Sequence, residues 1–319
     1  MDAFYSTYEY YADNTRKTAM DFPTACRALL DEVFITAKLV IPENKSLVSD
    51  PHRALTVIDL GFGCGDQTVH MMQETYNTVP TDSASTAEQR FPPIKRYVGV
   101  TLDRTQFQYV KRRLTSLGML GRSHTSSSIE IFCADAAQPA SWSEELARAA
   151  KPTLVSPSSS RDASKSAKLA ESINREIWVL ALDTLYHFAP SRQPIFDYAR
   201  RELEASLMVF DLALADDASW FDRALLAIVC LFTGTPFSNF VTAAQYRTML
   251  ISAGYDEDSI ELRDVSEHIF APLTRFLLER ERQLGLIGLG IGGFRVARGL
   301  FGWWGKSGVV RGVIVIARR

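Results

Sequence analysis

The chain has 319 residues, of which 46% are hydrophobic and 23% charged, the make-up of a soluble globular protein, and disorder as its main state is excluded. With 35 basic against 37 acidic side chains and a net charge of −2, no global field exists to hold a phosphate backbone, which argues against general nucleic-acid binding and leaves only a local patch open. Cys26, Cys64, Cys133 and Cys230 stand far apart without a C-x-x-C pair, so structural zinc and a disulfide framework are unsupported and a reducing compartment is expected.

The N-terminus, MDAFYSTYEYYADNTRK, has neither a basic n-region nor an apolar h-region, so it does not read as a secretory leader and a cytoplasmic location is expected. Apolar spacing through Ala25, Leu29, Leu30, Val33, Phe34 and Ala37 predicts that the segment up to about Lys38 is helical. Five strand-like runs follow at 56–61 (TVIDLG), 97–102 (YVGVTL), 129–134 (IEIFCA), 176–182 (EIWVLAL) and 207–213 (LMVFDLA). They are continuously apolar, as strands buried on both faces are, and the segments between them carry helical periodicity. Two polar stretches, 78–89 (TVPTDSASTAEQ) and 156–172 (SPSSSRDASKSAKLAES), read as loop insertions. Two late strands are predicted at 260–266 (IELRDVS) and 309–318 (VVRGVIVIAR), with a helical block at 267–285 before the last. The pattern is βαβ repeated into an α/β, doubly wound, mostly parallel sheet of seven strands. One domain over 1–319 accounts for it: an N-terminal helical lid (1–50), a core with polar insertions (51–266), a second helical lid (267–305) and a last strand (306–319).

Two apolar stretches, 224–232 (ALLAIVCLF) and 284–294 (LGLIGLGIGGF), are too short to span a bilayer, which needs ~20 residues. The second is followed by Arg295, Arg298, Trp303 and Trp304, a mixture suited to a lipid headgroup region; peripheral membrane contact through 284–304 and a buried helix or substrate lid are the two readings.

The most informative run is Val57-Ile58-Asp59-Leu60-Gly61-Phe62-Gly63-Cys64-Gly65-Asp66-Gln67-Thr68. An apolar strand ending in an acidic residue enters a G-x-G-x-G turn and then a helix; glycine there permits close approach of a ligand to the backbone and a positive φ. A dinucleotide fingerprint would place a third glycine where Asp66 stands. The polar Asp66-Gln67 pair that opens the helix suits a zwitterionic ligand better than a diphosphate. The next strand ends Gly99-Val100-Thr101-Leu102-Asp103-Arg104-Thr105-Gln106, the third Phe132-Cys133-Ala134-Asp135-Ala136, and the fourth Ala181-Leu182-Asp183-Thr184-Leu185-Tyr186-His187-Phe188.

The D-L-G-x-G-x-G run resembles motif I of the class I S-adenosylmethionine-dependent methyltransferases, which have a Rossmann-like fold. The G-V-T-L-x-x-x-Q run is similar to the subset that includes cyclopropane fatty acid synthases, mycolic acid methyltransferases and tocopherol methyltransferases, with Asp103 in place of the usual serine. The resemblance implies S-adenosyl-L-methionine as cofactor. Asp59, Gly61, Gly63, Gly65 and Gln67 would form the turn against its amino-acid portion. Thr101, Leu102 and Gln106 would meet the ribose, and Asp135 and Ala136 the adenine. Residues 181–188 resemble the [DE]-[AS]-x-x-H-[FM] segment over the transferring methyl, which makes His187, with Tyr186 beside it, the candidate catalytic pair; a neutral imidazole can take a proton from an acceptor, and shaping the pocket is the other reading. Tyr8, Tyr10 and Tyr11 fall where the subset has Tyr-rich helices closing over the cofactor, so Tyr11 is expected near the methionine carboxylate or the methyl site, with ordinary helix packing as the other reading. The stretches 236–255 and 302–318 also resemble the family's A-G-[FY] turn and closing strand.

No H-x-x-x-H or facial-triad spacing is present, so no metal is expected. Apolar and aromatic density at 220–240 and 270–304 points to a lipophilic acceptor such as a polyketide, terpenoid, alkaloid or lipid, with O-, N- and C-methylation all open. An NAD(P)-dependent oxidoreductase and a non-catalytic methyltransferase-like binding subunit are the rival readings.

Overall fold

A computed structural model describes residues 9–12, 15–18, 22–39, 54–76, 94–120, 127–151 and 175–319. The first elements correct the expectation of a helical start. β1 (Glu9–Ala12) pairs antiparallel with β2 (Thr15–Thr18), with Tyr11 opposite Arg16, and the helix begins only at Phe22, running to Thr36. Tyrosine and threonine favour extended backbone, and the two-residue connection is of hairpin length. The two polar insertions lie outside the described residues.

The main sheet contains β3 (Ala54–Leu60), β4 (Ile94–Thr101), β5 (Ser128–Cys133), β6 (Arg175–Leu182), β7 (Ser206–Leu214), β8 (Ile260–Asp264) and β9 (Val310–Ala317). Their order is β5-β4-β3-β6-β7-β9-β8. The pairs β3/β4, β3/β6, β4/β5 and β6/β7 are parallel, while β9 runs antiparallel to both β7 and β8. Seven predicted strands thus become one sheet of the expected class, with boundaries displaced by at most three residues.

Alternate side chains explain why the strands read as continuous apolar runs. Leu55 and Val57 of β3 enter one buried cluster with Leu29, Phe34 and Met71, whereas Ile58 and Leu60 enter another with Leu146, Ile195 and Phe196. Met208, Phe210 and Leu212 of β7 go to the first, and Leu207 and Val209 to the second. A strand covered by helices on both faces has no solvent side to mark with polar residues.

The chain leaves β3 for β4 on one side and later places β6 on the other, so the carboxyl ends of β3 and β6 flank the topological switch where α/β sheets hold ligands. Between β8 and β9 the chain inserts helices Phe270–Gly285 and Phe294–Ser307. The 284–294 stretch is therefore not a buried helix. It spans the end of the first helix and the connection to the second, and Leu286, Ile287 and Leu289 are exposed. The other apolar stretch, 224–232, lies within helix Trp220–Thr233, capped by the Ser219 hydroxyl and closed by Gly234 at φ +72°. Among the described residues no helix is long and apolar enough to cross a membrane.

Candidate active site

The carboxyl ends of β3, β4, β6 and β7 open into a cavity of about 980 Å³. Gly61, Gly63, Thr101, Leu102, Gln106, Asp135, Ala136, Tyr186 and His187 all line it. Residues from four separate loops, selected on sequence alone, thus meet in one space. Asp59, Gly65 and Gln67 do not line it, and the Tyr11 side chain lies outside the described residues.

Asp59 sits behind the turn. It is fully buried, accepts from the Tyr97 hydroxyl at 2.7 Å and from the Gln67 amide at 3.2 Å, and Thr68 Oγ1 lies 2.7 Å from the same tyrosine oxygen. Burial pushes its carboxyl up to about 6, against the opposing effect of those hydrogen bonds. Asp66 is also used internally: its carboxylate accepts from Arg113 Nη2 at 2.8 Å, while Arg113 Nη1 donates to the Cys64 carbonyl at 3.0 Å. The Asp66 and Gln67 side chains thus brace the glycine turn through Arg113 and Asp59.

The turn itself needs glycine. Gly61 has φ +76°, its amide donates to the Val100 carbonyl at 2.7 Å, and a Cβ there would stand 2.6 Å from Thr184 Oγ1. Gly65 at φ +75° would place a Cβ 2.9 Å from Val110. The first contact couples the turn after β3 to the turn after β6, because Thr184 begins the segment that carries His187.

After β4, Thr101 Oγ1 donates to Gln106 Oε1 at 3.2 Å, joining two side chains of the cavity wall. Asp103 caps the helix Arg104–Ser116, accepting from the Thr105 and Gln106 amides at 2.7 and 3.1 Å, and those bonds hold its carboxyl below the usual range. Asp103 also lines the cavity itself. After β5, Asp135 accepts from the Ala137 amide at 2.9 Å and from Gln138 Nε2 at 3.0 Å, so its carboxylate organises the loop it belongs to.

His187 ends a short 3₁₀ turn, Leu185–His187, and its ring lies 4.1 Å from that of Tyr186. Partial burial holds its imidazole below the ordinary value, favouring the neutral form. Asp183, in the quoted motif but not singled out from sequence, also belongs to the wall. It has φ +55°, accepts from the Tyr186 hydroxyl, and burial together with the nearby Asp211 carboxylate favours its neutral state. A non-glycine residue in the left-handed region and an enclosed carboxyl are two marks of a functional position; the sequence signal was the acidic residue at the strand end.

The segment is held from below by a buried network. Arg192, fully buried, donates to Asp211 and to the Asn239 carbonyl; Tyr246 donates to Asp211 at 3.1 Å; Asn239 Nδ2 donates to the Tyr186 carbonyl at 3.2 Å and to that of Phe188 at 2.5 Å. The backbone on both sides of His187 is thereby pinned. Much of the remaining lining is apolar, with Leu226, Val229, Phe240, Phe270, Leu300 and Trp304 among it.

No family model matches the sequence, and no curated protein is similar enough to register. Solved structures do match. The cyclopropane synthase MmaA2 from Mycobacterium tuberculosis superposes with a TM-score of 0.56 at 14% identity, covering 98% of this chain and 90% of that one. The fold is that of the class I methyltransferases. Geranyl diphosphate C-methyltransferase from Streptomyces coelicolor A3(2), solved with Mg²⁺, geranyl diphosphate and S-adenosyl-L-homocysteine, gives a TM-score of 0.52 at 11% identity over 93% of this chain and 79% of that one. The [4+2]-cyclase SpnF gives 0.55 at 15% identity over 100% and 87%. These matches span nearly the whole chain, and the fold is shared with a protein described by a different reaction.

Proposed function

We propose that the protein is an S-adenosylmethionine-dependent methyltransferase acting on a lipophilic small molecule. The observation that carries this reading is the single cavity whose wall contains the glycine turn, the Thr101–Gln106 pair and the His187 turn together with a large set of apolar side chains. Its volume is at the upper end of small-molecule sites, room for a nucleoside cofactor and an acceptor together.

The residues present fit that cofactor. Gly61 and Gly63 leave the turn bare of side chains for its amino-acid end, Thr101 and Gln106 offer hydroxyl and amide groups to a ribose, and Asp135 and Ala136, which line the same cavity, are assigned to the base. Asp59, Gly65 and Gln67 hold the turn from behind. When bound, the cofactor supplies an electrophilic methyl group on sulfur. The protein's part is to hold the acceptor atom in line with it, exclude water with the apolar lining, and accept the proton the acceptor loses. His187, whose imidazole partial desolvation shifts toward the neutral form, takes that proton; Asp183 holds the Tyr186 hydroxyl, and Asn239 fixes the backbone that carries both rings.

The test is transfer of labelled methyl from S-adenosylmethionine to a lipid-soluble fraction of cell extract, with His187→Ala beside the wild type. Turnover should fall about 10²-fold or more while affinity for S-adenosylhomocysteine stays unchanged. The acid limb of the wild-type rate profile should lie below pH ~6.5, since the imidazole must be neutral and its pKa is lowered, and it should vanish in the variant. Full activity of His187→Ala would reject the base role. Cofactor binding without any methyl transfer would instead favour a different reaction on this fold, of which the similarity to a [4+2]-cyclase is an example.

A further inference from the structure

The cavity wall reaches the surface on two helices that carry large apolar side chains outward. Phe294 and Val296 line the cavity and are themselves 50% and 77% exposed, so the chamber emerges beside them. From the facing helix, Val229, Cys230 and Thr233 line the same cavity, while their neighbours Leu231 and Phe232 are 80% and 85% exposed. The Trp303 indole donates to Asp222 at 3.3 Å and ties the two helices together. The connection that leads into the cavity-lining Gly293 and Phe294 exposes three more apolar side chains, Leu286, Ile287 and Leu289. Exposed apolar patches on this scale mark interaction surfaces.

Its chemistry selects the partner. From Leu284 to Phe294 the chain contains only glycine and apolar residues, so no side chain there can make the directional hydrogen bonds of a protein interface. The flanks are basic: between 275 and 306 stand Arg275, Arg280, Arg282, Arg295, Arg298 and Lys306 against only Glu279 and Glu281, in a chain whose net charge is −2. Arg295 and Arg298 both pair with Glu281, which sets them at the base of the apolar connection. Apolar side chains beyond a tier of cations match a bilayer with anionic headgroups, and Trp220, exposed at the start of the facing helix, is a residue type that settles at that depth.

We propose that residues 286–294 and the outward face of helix Trp220–Thr233 dock on an anionic lipid surface and set the cavity mouth against it, so that the acceptor enters from the bilayer. The docking stands on surface chemistry alone; the role given to the acceptor rests on the methyltransferase reading.

Sedimentation of the full chain with phosphatidylcholine vesicles, with and without phosphatidylglycerol, tests the docking. The wild type should sediment with the phosphatidylglycerol vesicles, less so as salt is raised. Leu286→Asp/Leu289→Asp, neither of which lines the cavity, should reduce the bound fraction about ten-fold or more with an unchanged circular dichroism spectrum. A wild type that stays in the supernatant overturns the proposal, as does equal binding of the variant. A dimer in light scattering that the variant dissociates, without vesicle binding, would assign the patch to a second copy. S-adenosylhomocysteine affinity in the absence of vesicles separates failure of the docking from failure of the methyltransferase reading.

Discussion

Gly61→Ala is expected to weaken binding of S-adenosylhomocysteine on the order of 30-fold while leaving the fold intact. The residue stands at φ +76°, where an L side chain costs about 1–2 kcal/mol, and the added methyl would stand 2.6 Å from Thr184 Oγ1. Relief requires the turn after β3 or the turn after β6 to retreat. Both line the cavity, so either movement costs affinity. Because Thr184 leads into Leu185–His187, turnover should fall further than affinity does, and a comparison of kcat with cofactor Kd at saturating cofactor reads the two losses apart. A variant with wild-type affinity and turnover would mean that this turn does not contact the cofactor.

Arg192→Met is the second large effect. It removes the cation from a fully buried group in which Asp211 has no solvent to turn to. Burial already pushes the Asp211 carboxyl up, with Arg192 as the main opposing influence, so the variant leaves either a bare buried charge or a forced protonation. The expected loss is about 3–5 kcal/mol in urea unfolding. Adding Asp211→Asn should recover part of it by removing the charge. The sign of the pH dependence follows: a carboxyl raised in the folded state stabilises fully below its unfolded value and loses that contribution as pH rises through the folded value. Arg192→Met raises the folded value further, so its deficit should shrink toward acid pH. A loss under about 1 kcal/mol, as for a surface pair, would show that the network does not carry the segment above it.

The strands and the cavity residues were legible because their signals are local. Runs such as IEIFCA and LMVFDLA carry strand-forming side chains on both faces, Gly61 follows the end of its strand, Thr101 closes its own, and His187 comes within one short turn of the next. What was not legible depends on distance along the chain or on competing local preferences. The brace on Asp66 was not legible because its partner, Arg113, is 47 positions away; Arg192 and Asn239 are equally far apart. The β1–β2 hairpin was hidden by the helical spacing that follows it, although its tyrosines and threonines favour strands. The five glycines between 284 and 294 were a legible argument against a buried helix there, and they do end the helix.

Isothermal titration of the purified chain with S-adenosylhomocysteine, and separately with NADPH, bears most directly on the central claim. One equivalent of S-adenosylhomocysteine should bind to the wild type and bind markedly more weakly to Gly61→Ala, with no heat from NADPH. Binding of NADPH alone, or S-adenosylhomocysteine affinity indifferent to Gly61→Ala, would contradict it.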